Sequence, residues 1–410
     1  MSVPTVATVS PADIRSARTR ISEHVVATPC TRSLSFSDLV VGRIHFKFEN
    51  LQRTGSFKDR GSLNKMAQLD DSERRRGVVT ASAGNHAQAV AFHARRLGIP
   101  ATVVMPEHAP LIKVQNARRY GARIVQRGTI LDESAVEAKR LAEEEGLVMV
   151  HAFDDPHVIA GQGTIGLEIA EQMPEVDVVV VPVGGGGLVS GIAVALKELR
   201  PSVRVIGVES EAAPSARASR DAGRIVKIES ADTIADGIAT KRVGELTFRL
   251  MEEHVDDLLV VREEEIATAI LMLLEREKTV VEGAGATPLA VLLSGRLRLE
   301  EGQHAALVLS GGNIDVNMIS RIIDRGLVAD GRLARLMVKV PDRPGSLARL
   351  TRCVADHGGN VLETYHRRAF ADISVGDVEI VMHLETRGRD HVDEIVSALQ
   401  AQGLVVEEDA

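Results

Sequence analysis

The chain has no tryptophan, two tyrosines and eight phenylalanines among its 410 residues. So few rings argue against the aromatic stacking platforms of single-strand nucleic-acid binders. Basic residues are not in surplus either. Lys and Arg number 49 against 57 Asp and Glu, a net charge of −8, whereas a nucleic-acid binder shows a basic surplus or stripe. Cysteine is nearly absent. Cys30 and Cys353 stand far apart, without CxxC or Cys/His spacing, so neither a disulfide framework nor a zinc site is indicated. Both read as small buried apolar side chains. Apolar runs such as Val178–Val183 fall far short of the roughly 20 residues of a membrane span. The stretch MSVPTVATVSPADIRSARTR lacks the apolar region of a secretory signal. These absences point to a cytoplasmic protein with no membrane or nucleic-acid partner.

What is present is ordinary for a globular chain, with 44% apolar and 26% charged residues. The length calls for two or three structural units. Short β-branched runs, GVVTAS (77–82), ATVVM (101–105), ARIVQ (122–126), LVMVHAF (147–153), VDVVVVPV (176–183) and VRVIGVES (203–210), alternate with stretches such as NHAQAVAFHARRLG. Apolar or Ala positions in those stretches recur every three or four residues. Strands apolar on both faces and joined by helices form parallel sheets under crossover helices, so residues 1–325 read as α/β. Size divides this region into two lobes, the smaller spanning roughly 55–155.

The pattern changes near Asp330-Gly331. Leu336, Val338 and Val340 alternate as in a strand. Leu347, Leu350 and Val354 recur at helical spacing, as do Val392, Ile395, Val396 and Leu399. The order βαββαβ over 335–410 predicts a separate α+β, ferredoxin-like domain, with 326–334 as linker.

Four segments carry candidate chemistry. VDVVVVPVGGGGLVSGIAVALKEL sets Gly184, Gly185, Gly186 and Gly187 between a buried strand and a helix. Backbone without side chains lets several N–H groups converge on one anion with the helix dipole behind them, and phosphate is the natural guest. A dinucleotide site is the rival, because Glu209 ends the next strand where a ribose-binding acid would stand. Ser190, however, occupies the third-glycine position. In HFKFENLQRTGSFKDRGSLNKM (45–66), Lys58 follows Ser56 and Phe57, between glycines 55 and 61 that allow close backbone approach. A desolvated lysine loses its proton more readily and can attack an aldehyde. TASAGNHAQAVA (80–91) ends a strand and opens a helix, so the helix N-terminal N–H groups beside Ser82 and Asn85 offer a receptor for a carboxylate. Ser82 or Asn85 could equally cap that helix, and His86 reads more simply as a structural hydrogen-bonding residue. HAALVLSGGNID ends a late strand at Ser310.

Together the four segments resemble the β-family (fold type II, tryptophan synthase β-like) of pyridoxal-phosphate enzymes, most closely the threonine ammonia-lyases, also called threonine dehydratases. The likeness runs from about Ser16 to Gly326. It implies pyridoxal 5'-phosphate as cofactor, with Lys58 on its aldehyde, Phe57 against the ring, Gly184 to Gly187 on the phosphate and Asn85 on the ring hydroxyl. It also implies Gly237 beside the ring, Ser310 facing the pyridine nitrogen, and residues 82–86 on the substrate carboxylate. The implied reaction is dehydration and deamination of L-threonine to 2-oxobutanoate, and of L-serine to pyruvate. Serine racemase is disfavoured because Ala83 stands where its second base, a serine, would be. The racemase branch also holds a divalent cation after the strand ending in Glu209. Ser215 replaces an expected carboxylate there, so no metal is expected. A degradative dehydratase, a cysteine-synthase-like enzyme and a non-enzymatic amino-acid sensor are the other readings. Glu282 in VVEGAGA is either near the site or a helix-start charge.

VPDRPGSLARL followed by HGGNVLE resembles the ACT domain, an amino-acid-sensing module. The resemblance implies an effector near Asp342, Gly345 and Asn360 at an interface between two such domains. Isoleucine opposed by valine is the expected effector pair, and a homo-oligomer, dimer or tetramer, the expected assembly. Asp342 and Asn360 serve equally well as turn-stabilising residues.

Overall fold

A computed structural model describes residues 8–368 and 374–408. The chain divides into two compact units, Met1–Ile314 and Asp315–Ala410. In the first unit the strands are β1 (Cys30–Arg32), β2 (Arg43–Lys47), β3 (Val78–Ala81), β4 (Ala101–Met105), β5 (Arg123–Gln126), β6 (Val148–Met149), β7 (Val178–Pro182), β8 (Arg204–Ser210), β9 (Asp257–Val261) and β10 (His304–Val308).

These strands form two sheets. The larger has the order β1-β2-β10-β7-β8-β9, and the smaller β5-β4-β3-β6. Every pairing is parallel except β1 with β2. Val178 to Val181 are fully buried, as are Ala305 to Leu309, because crossover helices cover both faces of such a sheet. The helices Pro156–Gln172 and Gly187–Leu199 make a close-packed pair. A Cβ on Gly191 would come within 2.4 Å of the Ile159 carbonyl oxygen, so the crossing requires glycine. The expected strand at 147–153 ends at Met149. Val150 still bonds to Val79 of β3, and residues 151–153 leave the sheet and enter the candidate site. The strands β1 and β9 answer to no run singled out in the sequence.

In the second unit β11 (Leu333–Pro341), β12 (Asn360–Arg367), β13 (Asp377–Glu385) and β14 (Val405–Glu408) form an antiparallel sheet in the order β12-β13-β11-β14. The helices Ser346–Asp356 and Arg389–Ala401 supply Leu350, Val354, Val392, Ile395 and Leu399 to one apolar core. This is the expected βαββαβ order. The linker differs. Val316–Ala329 is a helix of this second unit and β11 begins at Leu333, so only a short turn is left between them. Ile319, Ile322, Ile323 and Leu327 supply the helical periodicity that carries the segment through.

Cys353 lies in the core of the second unit, while Cys30 is only half-buried; both are free thiols. Among the described residues, no helix is long and apolar enough to cross a membrane.

Candidate active site

Lys58 opens the helix Lys58–Met66, and the turn before it is fixed by backbone hydrogen bonds. Phe57 N–H donates to the Ser310 carbonyl at 3.0 Å, Gly312 N–H donates to the Gly55 carbonyl at 2.9 Å, and Ser56 bridges to Gly311. Gly55 has φ +77, and a Cβ there would lie 2.6 Å from the Asn313 side-chain oxygen. Only glycine tolerates both conditions. The Lys58 amine donates to the Ala152 carbonyl at 2.7 Å and sits 4.8 Å from the centre of the Phe57 ring. Burial lowers its pKa to about 8, and the Glu282 carboxylate pulls the other way. A minority of such an amine is neutral near physiological pH, far more than of an ordinary lysine, and that neutral form is the one that attacks an aldehyde.

A buried ion network lies behind this turn. Arg60 Nε and Nη2 each donate to Glu49 at 2.8 Å, and Nη1 and Nη2 donate to Glu168 at 2.5 and 2.9 Å. Lys47, equally buried, donates to Glu168 at 2.5 Å. Two cations balance two carboxylates, which anchors the lysine helix to the strand and helix behind it. None of these four stands out in the sequence, because a charged residue there reads as surface.

The glycine turn faces Lys58's neighbours. Gly186 has φ +94 at the start of Gly187–Leu199, and no side chain caps that helix. A Cβ on Gly184 would lie 2.9 Å from Ile238 Cα, and one on Gly185 would lie 2.3 Å from the Phe153 ring. The Thr247 hydroxyl donates to the Gly185 carbonyl at 2.6 Å, and Asp154 accepts from the N–H groups of Glu245, Leu246 and Thr247. The turn is thus held from behind while the helix dipole and uncapped N–H groups remain for an anion. Sequence reasoning misses Phe153 and Asp154. Their only signal is their place at the end of the run 147–153.

The dinucleotide reading loses its acid. Glu209 accepts from the N–H groups of Ala216 and Arg217, both at 2.8 Å, and so caps the helix Ser215–Ala222. Burial pushes its pKa up to about 8.

At the third segment, Gly84 precedes the helix Asn85–Leu97, again without a side-chain cap. Ser82 accepts from Gly84 N–H at 3.3 Å, and Asn85 turns away to donate to both Glu282 oxygens at 2.8 and 3.0 Å. Neither residue caps the helix, so its first N–H groups stay open beside Ala83 and Gly84. The imidazole of His86 is buried, 2.9 Å from the Val150 carbonyl and 3.5 Å from the Ser62 hydroxyl. Burial lowers its pKa to about 3, so it stays neutral and only its backbone N–H is left for an anion.

Glu282 immediately precedes the helix Gly283–Leu293 yet does not cap it. Its carboxylate instead joins Asn85 to Gly237, where a Cβ would lie 3.1 Å from Glu282 Oε1. Asn313, another residue not singled out in the sequence, donates to the Asn85 oxygen at 2.8 Å and to the Thr54 carbonyl at 2.7 Å. Contacts therefore run from Lys58 and Phe57 through Ser310, Asn313, Asn85 and Glu282 to Gly237, whose neighbour Ile238 packs on Gly184. Phe153 and Ala152 close the circuit back to Lys58.

One other trio, His45, Glu175 and His304, brings metal-ligand atoms within 4.8 Å of one another among the described residues. It stands at the start of β10, the opposite end of that strand from Ser310. The Arg43 guanidinium already lies 3.1 Å from His304 Nε2.

The expected effector residues do not converge within one chain. Asp342 pairs with Arg368 at 2.8 and 3.2 Å beside the turn of Gly345, which has φ +93. Asn360 pairs with Glu385 at 3.0 Å at the other end of β12. Eight residues of strand separate them, roughly 25 Å.

Pyridoxal phosphate fits the first unit on the structure's own terms. There is a desolvated primary amine for its aldehyde, and a side-chain-free, uncapped helix start for its phosphate. The family model for pyridoxal-phosphate dependent enzymes matches residues 21–311, and that for the ACT domain matches 334–403. The chain is 51% identical over 395 residues to an L-threonine ammonia-lyase of Thermotoga maritima, covering 96% of this chain and 98% of that protein. An L-threonine ammonia-lyase of Geobacter sulfurreducens is 49% identical over 394 residues, covering 96% and 98%. Among solved structures, the processed form of threonine deaminase isoform 2 from Solanum lycopersicum superposes with a TM-score of 0.72 at 36% identity, covering 76% of this chain and 91% of that one. Maize serine racemase superposes with a TM-score of 0.74 at 38% identity, covering 79% and 99%. The chain therefore belongs to the pyridoxal-phosphate-dependent enzymes, in the threonine ammonia-lyase family, and carries an ACT domain.

Proposed function

We propose that the protein converts L-threonine to 2-oxobutanoate and ammonia, and L-serine to pyruvate and ammonia. The observation that carries this reading is the Lys58 amine, its pKa lowered to about 8 by burial and 2.7 Å from the Ala152 carbonyl, with the uncapped glycine turn in the same circuit of contacts. When bound, pyridoxal phosphate supplies an electron sink for charge developing at the substrate α-carbon. The protein's residues do the rest. Gly184 to Gly187 would hold the phosphate through backbone N–H groups. Phe57 would pack on the ring, Gly237 would leave room beside it, and Asn85 would donate to its hydroxyl. Ser82, Ala83, Gly84, Asn85 and His86 hold the substrate carboxylate through the open helix start, His86 by its backbone alone. Lys58 would hold the cofactor through its aldehyde at rest, and its amine, when free, would take the substrate α-proton. The β-hydroxyl would leave as water, with a proton equivalent to the one that Lys58 takes up. The released enamine tautomerises and takes up one water to yield the 2-oxo acid and ammonia.

Ser310 bears on the outcome. A hydroxyl facing the pyridine nitrogen cannot hold it protonated as a carboxylate would, which favours prompt loss of the β-substituent over reprotonation. Ala83 carries no transferable proton, which supports elimination over racemisation. The experiment is a product assay with L-threonine and L-serine, with chiral analysis of the remaining serine. 2-Oxobutanoate and pyruvate without D-serine is the expected result. D-serine as the main product would replace this reading with a racemase.

The ACT domain supports feedback by an amino acid, and we further propose a cytoplasmic homo-oligomer, a dimer or tetramer. The separation of Asp342 and Gly345 from Asn360 calls for residues of two copies at each effector site. Isoleucine, opposed by valine, is the proposed effector pair, and isoleucine formation the proposed pathway.

A further inference from the structure

Glu282 is 3% exposed, and a carboxylate is not buried without cause. It does not cap the helix that follows it, and its own N–H donates to the Gly311 carbonyl at 3.0 Å. A Cβ on Gly311 would fall 2.4 Å from Glu282 Oε1, and one on Gly237 would fall 3.1 Å from it. Both glycines thus leave space that the carboxylate fills. Its side-chain hydrogen-bond partner is Asn85 Nδ2, at 2.8 and 3.0 Å from the two oxygens, and the Asn313 backbone N–H also bonds to it.

The orientation of the Asn85 amide follows. Its oxygen accepts from Asn313 Nδ2 at 2.8 Å, and the other N–H of Asn313 is taken by the Thr54 carbonyl at 2.7 Å. An amide whose oxygen faces a donor and whose nitrogen faces a carboxylate cannot flip without losing both bonds. Both bonds from Asn85 Nδ2 run to one carboxylate, which a single shared N–H can make, leaving the second for another acceptor. Asn85 is therefore a donor and never an acceptor toward whatever lies beside it.

The charges around Glu282 come from every element packed on it. Lys58 feels its charge, and Asp236 faces it from the segment before Gly237. Lys113 also faces it, and is ion-paired to Asp236. Burial, reinforced by Asp236, raises the pKa of Glu282 to about 7, against the hydrogen bond from Asn85 and the attraction of Lys113.

We propose that Glu282 is the positioning residue of this site: its ionised carboxylate holds Asn85 as a fixed hydrogen-bond donor toward the cofactor ring, and protonation loosens that hold. The inference rests on the pyridoxal-phosphate site described above. In this proposal Glu282 has no contact with substrate or the reacting atoms. It acts through Asn85, and through its charge on Lys58.

The test compares full-length wild type, Glu282→Gln, Asn85→Ala and the double variant, each loaded with pyridoxal phosphate. The visible spectrum of the bound cofactor and the threonine kcat and KM are followed from about pH 6 to 9, a range spanning the Glu282 pKa, with circular dichroism as a check on folding. In wild type, kcat rises through about pH 7 as Glu282 ionises, and the spectrum titrates in the same range. In Glu282→Gln both features vanish while the cofactor band persists, and kcat at slightly alkaline pH falls by about tenfold or more with a smaller change in KM. The double variant loses no more than Asn85→Ala alone, because the two residues act as one unit. A Glu282→Gln protein with the wild-type pH limb and spectral titration overturns the proposal. So do losses that add in the double variant, a comparison that Glu282→Asp provides equally if Glu282→Gln does not fold. A wild type lacking both band and product would instead refute the site reading itself, which keeps the two failures distinct.

Discussion

The amide of Phe57 donates to the carbonyl of Ser310 at 3.0 Å, tying the residue before Lys58 to the end of β10. The side chain at 310 is therefore delivered to the site by the same bond that fixes the lysine turn. Ser310→Asp should keep the turn, since only backbone atoms make the bond, while placing a carboxylate where the hydroxyl was. The expected outcome is slower 2-oxobutanoate formation and a larger share of side reactions, read as the ratio of racemised or transaminated product to 2-oxo acid. An unchanged ratio would show that the group at 310 does not govern the partition.

The neutral, buried His86 links pH to stability. Its folded pKa of about 3 lies below the ordinary 6.5, so the unfolded chain binds a proton that the folded chain refuses. The stability it contributes is present above about pH 6.5 and is lost as pH falls toward 3, at about 1.4 kcal/mol per pH unit. His86→Gln should lose less stability than wild type between about pH 7 and pH 4 in denaturant titrations, and should retain threonine turnover. Loss of turnover with stability intact would make His86 a catalytic group.

Arg60 satisfies two carboxylates at once, and removing it leaves Glu49 without its cation partner and Glu168 with Lys47 alone. Burial alone would raise the Glu49 pKa, but Arg60 beside it holds the carboxyl below its usual range. Arg60→Met should cost about 3–5 kcal/mol of unfolding free energy, as expected when one partner leaves a buried ion pair. It should also weaken pyridoxal-phosphate binding, because the helix that begins at Lys58 loses its anchor. A loss within experimental error would mean that the network relaxes without consequence.

Regulation makes a separate prediction. Isoleucine should raise the threonine concentration needed for half-maximal rate by about fivefold or more, with valine opposing it. Asp342→Ala, which also breaks the pair with Arg368, should abolish that response. A wild type indifferent to both amino acids would remove isoleucine and valine as effectors and leave the ACT domain's ligand to be sought elsewhere.

The parts of the site legible in the sequence are those written in short contiguous stretches. Lys58 between its glycines, the run 184–187, the turn 82–86 and Ser310 each sit where a strand gives way to a turn, and local pattern reveals such places. The parts that escape depend on contacts between distant stretches. Asn313 matters because it reaches Asn85, and Arg60 because Glu49 and Glu168 arrive from separate elements. Phe153 matters because residues 151–153 peel away from β6, a departure that β-branched composition does not announce. The expected linker at 326–334 fails for a related reason. The helix Val316–Ala329 carries Asp324, Arg325 and Gly326, and polar residues on a solvent-facing stripe look like loop until the apolar stripe opposite is traced. In the ACT domain the alternation along β11 is enough to find the sheet, but not to show that Asn360 lies a full strand away from Gly345.

The most direct test of the central claim is an absorbance spectrum of the purified protein with pyridoxal phosphate, read before and after L-threonine is added, with 2-oxobutanoate assayed in the same cuvette. The account predicts a visible band from lysine-bound cofactor that is absent in Lys58→Ala, changes on adding threonine, and is accompanied by 2-oxobutanoate in wild type only. No band in wild type after adding pyridoxal phosphate, or a band and product that survive in Lys58→Ala, would contradict it.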